Sequence, residues 1–363
     1  MVKRTHENLG HVSRSRLIDL ANSDAVIGLE HLKGLPRDAS SFCDSCIRGK
    51  TKAQPAPKHT IKRLEHKPWG TMTLDLTGHI EVKSLERHHY GLIAVHAGSL
   101  DAQNNIIDDG GTGFSIYRGL NLRSDVLTSI QNIINVIGTP PKRLHTDNAK
   151  ELCSKTAESF YLRHGINHTT IPPYQHYSLG KAERLWGTLK SLAKCMLIAS
   201  GVPPHCWELA LKHANLIKNM LMPPPNKAAP TQWEAYYGVK PDLTTVWAFG
   251  CLAYIYITPE QKNALKVPPF GPTAISGLYM GISTLNGENK HLVLSDNNTL
   301  LACTFANIYV NPDIYPCRPA ATIASSIAHT ALLTYRDSPK LLLDPHEDLT
   351  PLSYLQYLSL IHI

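Results

Sequence analysis

Asp75 in TLDLTG, Asp147 in LHTDNAKEL and Glu183 in SLGKAERLWGTLK are the acids of this 363-residue chain whose surroundings suit a shared chemistry, and 35 residues separate the second from the third. Three carboxylates drawn from separate elements are what two divalent cations, roughly 4 Å apart, need in order to clamp the attacking and leaving oxygens of a phosphodiester. Mg²⁺, with Mn²⁺ as its substitute, takes oxygen ligands and is usually held by one or two carboxylates together with water and substrate phosphate. The interval between two acids says little alone in a chain with 29 Asp and Glu, so the flanks must decide. The ordinary alternative is an edge-strand acid at Asp75, a turn acid at Asp147 and a favourable first-turn charge at Glu183.

A second constellation stands at the amino end. His6 and His11 have four residues between them, Cys43 and Cys46 have two, and 31 separate the pairs. Two imidazoles and two thiolates complete a tetrahedral Zn²⁺ shell, and a closed four-ligand set is structural rather than catalytic. A segment this short has too little apolar content to fold comfortably without such a staple.

The elements that must position the acids are legible from periodicity. Met72, Leu74 and Leu76 alternate with Thr73, Asp75 and Thr77, which predicts a half-buried strand over residues 71–76 with Asp75 off its apolar face. Asp147 ends the extended stretch KRLH, after the stop signal GTPP that begins at Gly138, and so falls at a strand's carboxyl edge, where open α/β sheets place ligands. Glu183 opens an amphipathic helix whose Leu185, Trp186, Leu189, Leu192, Ala193 and Met196 recur at helical spacing. Between these lie extended stretches at 105–107 and 114–118 joined by the turn signal DDGG, and a helix capped by Ser124 with Leu127, Ile130, Ile134 and Ile137 on one face before Gly138. A short helix over 157–164 ended by Gly165 and a strand HTTI follow. The order is three strands, helix, strand, helix, strand, helix. Residues 90–97 offer a competing second strand, which would leave IIDD as an edge piece and let Asp108 or Asp109 compete with Asp75 as the first metal ligand.

The loop YQHYSLG lies directly before the Glu183 helix, and its composition suits a segment that touches DNA, with Tyr177 as a contact and His176 a conceivable general base. On the helix, Gly187, Lys190 and Lys194 follow Glu183 at steps of four, seven and eleven, a stripe that could hold donor DNA beside the acid, with Lys181 near its start.

The formal charge is +7, carried as +6 in residues 1–70, +4 in 71–230 and −3 in 231–363, so the amino end and middle are where a phosphate backbone should lie. A hydrophobic fraction of 43% supports real cores and the length suits two or three domains. Cys153, Cys195, Cys206, Cys251, Cys303 and Cys317 are scattered, and no signal peptide precedes them, so a reducing compartment is expected rather than a disulfide framework. The apolar run 246–257 is too short to span a bilayer, and 319–335 is broken by Ser, Thr and His, so no membrane segment is expected. Beyond PPP at Pro223, the runs 247–257, 274–282, 291–294 and 300–307 are short, apolar or alternating, and separated by Pro, Gly and Asn, which predicts a small β domain.

These segments also carry a resemblance. HTDNAKEL is similar to the strand-end motif around the second Asp of copia-type LTR retrotransposon integrases, and PPYQHYSLGKAERLWGTLK resembles their loop and helix around the catalytic Glu. CWELALKHANLIKN, APTQWEAYYGVKPDL and WAFGCLAYIY follow in the same order, so the resemblance runs from about His6 to about Pro316. It implies a zinc-binding pre-integrase domain with a basic linker over 1–67, a ribonuclease-H-like catalytic core over 68–230, and a small β-rich, barrel-like domain over 231–318. The tail 319–363 is left unplaced. It further implies Asp75, Asp147 and Glu183 as Mg²⁺ ligands, Lys190 as a DNA contact, DNA ends and target DNA as partners, a homo-oligomer, and action in the nucleus after a stage in cytoplasmic particles. One departure is HHYGLIAVHAGSLDAQNN after Asp75, longer than the family's usual join. The functional expectation is DNA strand transfer. The alternatives are a decayed or domesticated copy that only binds zinc and DNA, and a ribonuclease H, which would not need the His and Cys unit.

Overall fold

The computed structural model describes residues 2–23, 25–36, 42–52, 68–170, 180–264, 266–285 and 288–318. Its centre is a sheet whose strands follow the alternation in the sequence: β1 (Thr71–Leu76), β2 (Tyr90–Leu100), β3 (Ile106–Ile107), β4 (Ser115–Leu120), β5 (Arg143–Thr146) and β6 (Asn167–Thr170). The strand order across the sheet is β4, β2, β1, β5, β6, with β3 extending the β4 edge. β2 runs antiparallel to β1 and β4, whereas β5 runs parallel to β1 and β6 parallel to β5. Three antiparallel strands followed by two parallel ones in this order are the ribonuclease-H-like arrangement expected above.

The second strand is the long one. Leu92, Ile93 and Ala94 are fully buried, so apolar side chains fill both faces there, and Ile106–Ile107 is a two-residue edge piece on Ser99 and Leu100. The helix α4 (Val126–Ile137) lays Ile130, Ile133, Ile134 and Ile137 on the face formed by Met72, Leu74 and Leu144. Gly138 ends it at φ 82°. Ser124 does not cap α4. It sits inside a preceding 3₁₀ turn, Arg123–Asp125, where the Asp125 carboxylate accepts the Leu122 N–H at 3.0 Å. α5 (Lys155–Arg163) does begin on a serine, Ser154, whose hydroxyl accepts the Ala157 N–H at 3.2 Å.

At the amino end lie α1 (Val2–Asn8), α2 (Arg14–Asn22) and α3 (Asp44–Lys50), and α2 packs on the following 3₁₀ turn in a small core of Leu17, Ala21, Leu29 and Leu32. After the sheet, α6 (Gly180–Ser200) and α7 (Trp207–Leu221) build a second core in which Leu189, Ala193, Leu209 and Ala214 meet Met280, Leu292 and Leu294. The last three belong to a five-stranded antiparallel sheet, β7 (Leu252–Tyr256), β8 (Ala274–Leu285), β9 (Glu288–Ser295), β10 (Leu300–Cys303) and β11 (Ile308–Asn311), ordered β10, β9, β8, β7, β11. The run 300–307 is not one strand: it leaves the sheet after Cys303 and coils into a 3₁₀ turn, Phe305–Asn307. A bulge in β8 carries Gly281 at φ 96°, where an added Cβ would stand 2.6 Å from the His213 ring on α7, so only glycine lets the strand approach this closely. Helix α8 (Gln232–Tyr237) sends Trp233 and Tyr236 into the core of the first sheet, against Phe114 and Trp69.

The connection between β1 and β2 is tied to α7 by charge. Glu208, 1% exposed, accepts from Ser84 at 2.7 Å and from His88 Nδ1 at 2.8 Å, and Lys212 Nζ lies 3.0 Å from its other oxygen while also reaching Glu86. Burial pushes the Glu208 carboxyl up, but the His88 hydrogen bond, the Lys212 charge and the bonds from Glu86 and Ser84 outweigh it, so Glu208 titrates at about 2. His88 is raised, by its bond to Glu208 against burial. A depressed carboxylate stabilises the fold fully above its unfolded value near 4.5 and loses that contribution as pH falls towards about 2. A raised histidine contributes fully below 6.5 and loses its share as pH rises through the folded value. The network is therefore strongest between those limits. Glu208→Gln should lower unfolding stability by about 3 kcal/mol, since breaking a buried ion pair strands its partners. In urea titrations the natural chain should lose more stability than the variant does as pH rises from about 6.5 through the raised His88 value, because only it carries the carboxylate charge that favours the protonated imidazole; parallel pH profiles would show the network to be inert.

Candidate functional site

Strand register bears on the placement of two of the three predicted acids. β1 pairs with β5 in parallel as Thr71 with Arg143, Met72 with Leu144 and Thr73 with His145. Continued by two residues, that offset sets Asp75 level with Asp147 on adjacent strands, which lie ~4.8 Å apart in a sheet. Asp75, inside β1, has the parity of Thr73 and leaves the sheet on the face opposite Met72, Leu74 and Leu144, and Asp147 is the first residue beyond β5. Both are half-buried, at the carboxyl ends of their strands. Asp147 Oδ1 accepts the Ala149 N–H at 3.1 Å, which turns the chain sharply after β5, and Thr146, fully buried, anchors that end through His168 Nε2 at 2.9 Å. Carboxylates at the exit edge of a parallel strand pair are a donor type suited to a hard oxygen-seeking cation.

Glu183 belongs to the first turn of α6, whose backbone is described, whereas the side chains of Glu183 and Lys181 are not, and Tyr177 and His176 lie outside the described residues. Farther along α6, Leu185, Trp186, Leu189 and Ala193 are buried, and Gly187, Lys190 and Lys194 are exposed on the stripe that the helical period continues from position 183. Lys190 Nζ stands 5.9 Å from the Trp186 ring centroid, a cation–π contact that orients the amine along the helix. Asp108 and Asp109 stand at the other end of the strands. Asp108 pairs with Arg143 at 2.9 Å, at the start of β5, and Asp109 accepts the N–H groups of Ser99 and Gly111 at 3.1 and 2.8 Å, closing the turn before β4. Neither neighbours the Asp75 and Asp147 edge.

The four predicted zinc ligands converge. His6 Nε2 lies 3.2 Å from His11 Nδ1 and 3.2 Å from Cys46 Sγ, and Cys43 Sγ and Cys46 Sγ lie 3.3 and 3.6 Å from His11 Nδ1. Tetrahedral Zn²⁺ with bonds of ~2.0 Å to nitrogen and ~2.3 Å to sulfur requires ligand atoms roughly 3.3 to 3.8 Å apart. His6 Nδ1 donates to the Val12 carbonyl at 2.8 Å, which leaves Nε2 as the free lone pair facing the cluster. Gly10 and His11 take left-handed backbone at φ 65° and 59°, an unusual conformation for histidine that turns its ring back onto His6. Burial, then Cys43, raises the Cys46 thiol, and a bound divalent cation opposes that by favouring thiolate.

A third convergence, Glu86, His88 and Glu208, also has ligand-like spacing, but Lys212 Nζ already supplies the positive charge between its carboxylates. Sequence reasoning missed this group because its members lie about 120 positions apart. It also passed over His145, although a residue two before Asp147 must share its face.

No protein-family model matches the chain. It is 28% identical over 148 residues, 40% of its length, to the Transposon Ty1-LR3 Gag-Pol polyprotein of Saccharomyces cerevisiae, and it spans only 8% of that polyprotein. Among solved structures it is similar to a chain of the simian T-cell lymphotropic virus intasome in complex with PP2A regulatory subunit B56 gamma, at 17% identity, a TM-score of 0.36, and coverage of 81% of this chain and 98% of that one. It is also similar to the catalytic core domain of BIV integrase, at 20% identity, a TM-score of 0.33, and coverage of 46% and 93%. The fold assignment itself rests on strand order and register. No helix among the described residues is long and apolar enough to cross a membrane.

The amino-terminal geometry yields an expectation that needs no nucleic acid. Purified under mild conditions, the chain should carry one equivalent of zinc, and Cys43→Ser should lower the content at least tenfold at limiting metal, because a three-ligand set is no longer closed. Elemental analysis paired with circular dichroism before and after chelation checks both. Substoichiometric zinc with an unchanged spectrum would count decisively against the site.

Proposed function

We propose, for a chain related to the integrase region of LTR retrotransposons, that it is the enzyme of DNA integration: it joins 3′ ends of element DNA to target DNA by metal-dependent phosphoryl transfer. The observation that supports this reading is the parallel register of β1 on β5, whose continuation by two residues would level Asp75 with Asp147 at the exit edge of the sheet. Glu183, at the start of α6, is the third carboxylate of the proposal, and the helix that bears it packs beside β1. Asp75, Asp147 and Glu183 would hold two Mg²⁺ or Mn²⁺ ions, which when bound supply charge to the reacting oxygens and a template for in-line displacement.

In that displacement the 3′ oxygen of element DNA forms a new bond to a target phosphorus as the target's own 3′ oxygen leaves. The protein's part is positioning. Lys190 and Lys194 hold donor phosphates along α6, and the positive amino end and middle of the chain supply the remaining backbone contacts. Zinc at His6, His11, Cys43 and Cys46 keeps the amino-terminal helices in one piece. DNA ends, target DNA and further copies of the chain are the proposed partners, and the nucleus is the proposed place of action.

Asp75→Asn, Asp147→Asn and Glu183→Gln should each abolish strand transfer of short element-end duplexes in Mg²⁺ or Mn²⁺, and leave DNA affinity within about threefold, because neutralising an acid beside phosphates does not weaken electrostatic binding. An active Asp75→Asn would overturn the assignment of the first ligand. If the unmodified chain binds DNA and zinc yet transfers nothing with either cation, the chain is a binding module and the enzymatic reading falls.

Lys190→Ala separates positioning from general attraction. Loss of one phosphate contact should make the salt dependence of binding shallower by about one unit. If the amine sets the donor phosphate, transfer should fall more than affinity, since misplacement by ~1 Å costs on the order of 100-fold in rate. Equal loss of both would make Lys190 part of a general DNA surface.

A further inference from the structure

The face that bears Asp75 and Asp147 does not end at those acids. Towards the start of the strands it continues as an open groove of about 400 Å³ lined by Thr71, Thr73, Arg143, His145, Thr169 and Asp108, with Asn167 at its rim. The strand residues among these share one parity: Thr71 faces Arg143 and Thr73 faces His145 across β1 and β5, and Arg143 and His145 face Asn167 and Thr169 across β5 and β6. Thr73 and His145 are one side-chain repeat, roughly 7 Å, from the carboxylates, and Thr71 and Arg143 are two repeats away. Groove and acids form one continuous polar track.

Its chemistry is that of a site lacking a partner. Thr71 is 6% exposed, and its hydroxyl has no hydrogen-bond partner among the described residues; neither has His145 Nε2, while Nδ1 of the same ring bonds the Thr169 hydroxyl at 3.0 Å. An unsatisfied buried polar atom is destabilising, a cost that a valine at position 71 would avoid at almost the same shape. Arg143 brings the one cation of the lining, and it is held by a single contact to Asp108, whose side chain is 72% exposed. A surface pair of this kind is weak and readily exchanged for a better anion. Hydroxyl donors, an amide and a guanidinium, ordered along a track that leads to two carboxylates, fit a sugar–phosphate backbone.

We propose that this groove is a subsite for the backbone of the DNA strand whose reactive end lies at Asp75 and Asp147, with Arg143 and the Thr71 hydroxyl on its phosphate oxygens and Asp108 as a competing anion that a phosphate displaces. The proposal rests on the phosphoryl-transfer reading, and its test is arranged to fail separately from it. The full chain is titrated with a short fluorescent element-end duplex carrying a single-stranded 3′ overhang, across a range of salt. Arg143→Ala should weaken binding about tenfold and make the salt slope shallower by about one unit. Asp108→Asn should have the opposite sign, tightening binding about threefold, because it removes only the competitor. Thr71→Val should leave thermal stability unchanged or raise it, yet weaken binding and raise the KM for transfer with kcat little altered.

A merely structural Arg143–Asp108 pair would give two variants that change together, in stability rather than affinity. That result, or unaltered affinity and salt slope in Arg143→Ala, overturns the subsite. If the natural chain binds but transfers nothing, the transfer reading fails, whereas the opposite signs of Arg143→Ala and Asp108→Asn still decide the groove.

Discussion

One pairing governs the rest of the molecule: the parallel alignment of β1 with β5, which sets Thr73 beside His145. In a strand the side-chain period is two, so a slip of one residue would turn Asp147 into the core and Leu144 out to solvent. The register is held because Leu144, Met72 and Leu74 are fully buried under α4, at about 1.5 to 3 kcal/mol for each large apolar side chain. The positions of Asp75 and Asp147 are thus set by residues on the opposite face of the same strands. Catalytic geometry, on the proposed reading, is a by-product of core packing one residue away.

That link explains what could be read from the chain and what could not. TMTLDL and KRLHTD display the alternation directly, and the helix opened by Glu183 displays its buried side as Leu185, Trp186, Leu189 and Ala193, so the strands and the helix were legible. Local caps were less so: Ser124 has the composition of a cap, but the chain enters α4 through a 3₁₀ turn closed by Asp125 instead. The second strand was ambiguous because residues 90–100 are apolar on both faces and show little period, which is what burial on both sides produces. Contacts between distant segments were invisible. Glu208 reads as a first-turn acid of α7, and only the fold brings Ser84 and His88 to it. Gly281 likewise gives no local reason for being glycine until His213 is placed against it.

The zinc-type cluster shows the opposite case, in which spacing alone sufficed. Four ligands of two types must lie within a few ångströms whatever the surrounding chain does, so the pairs are recognisable before any helix is assigned. The structure adds what that unit touches. α3 carries Cys46, and its first residue, Asp44, accepts the Tyr254 hydroxyl of β7 at 2.5 Å, while the Arg48 carbonyl accepts from Thr273 just before β8. The helix that carries Cys46 is therefore also a bearing surface for the carboxyl-terminal sheet. Three hydrogen bonds thus join this helix to residues more than 200 positions away.

The polar side of the central sheet is the part of the fold that stability does not explain. Thr71 and Thr73 are almost as buried as Met72 and Leu74 between them, yet carry hydroxyls, and Thr71 and His145 each leave a buried atom without a partner among the described residues. Strand propensity accounts for β-branched residues on this face, since they suit the pleated surface, but valine and isoleucine satisfy that preference without an orphaned hydroxyl. Two faces of one strand pair, built within six residues, therefore answer to different demands. One is filled so that the register cannot slip. The other carries Thr71, Thr73, Arg143 and His145, and the proposed DNA subsite would account for polar groups kept there at a cost in stability.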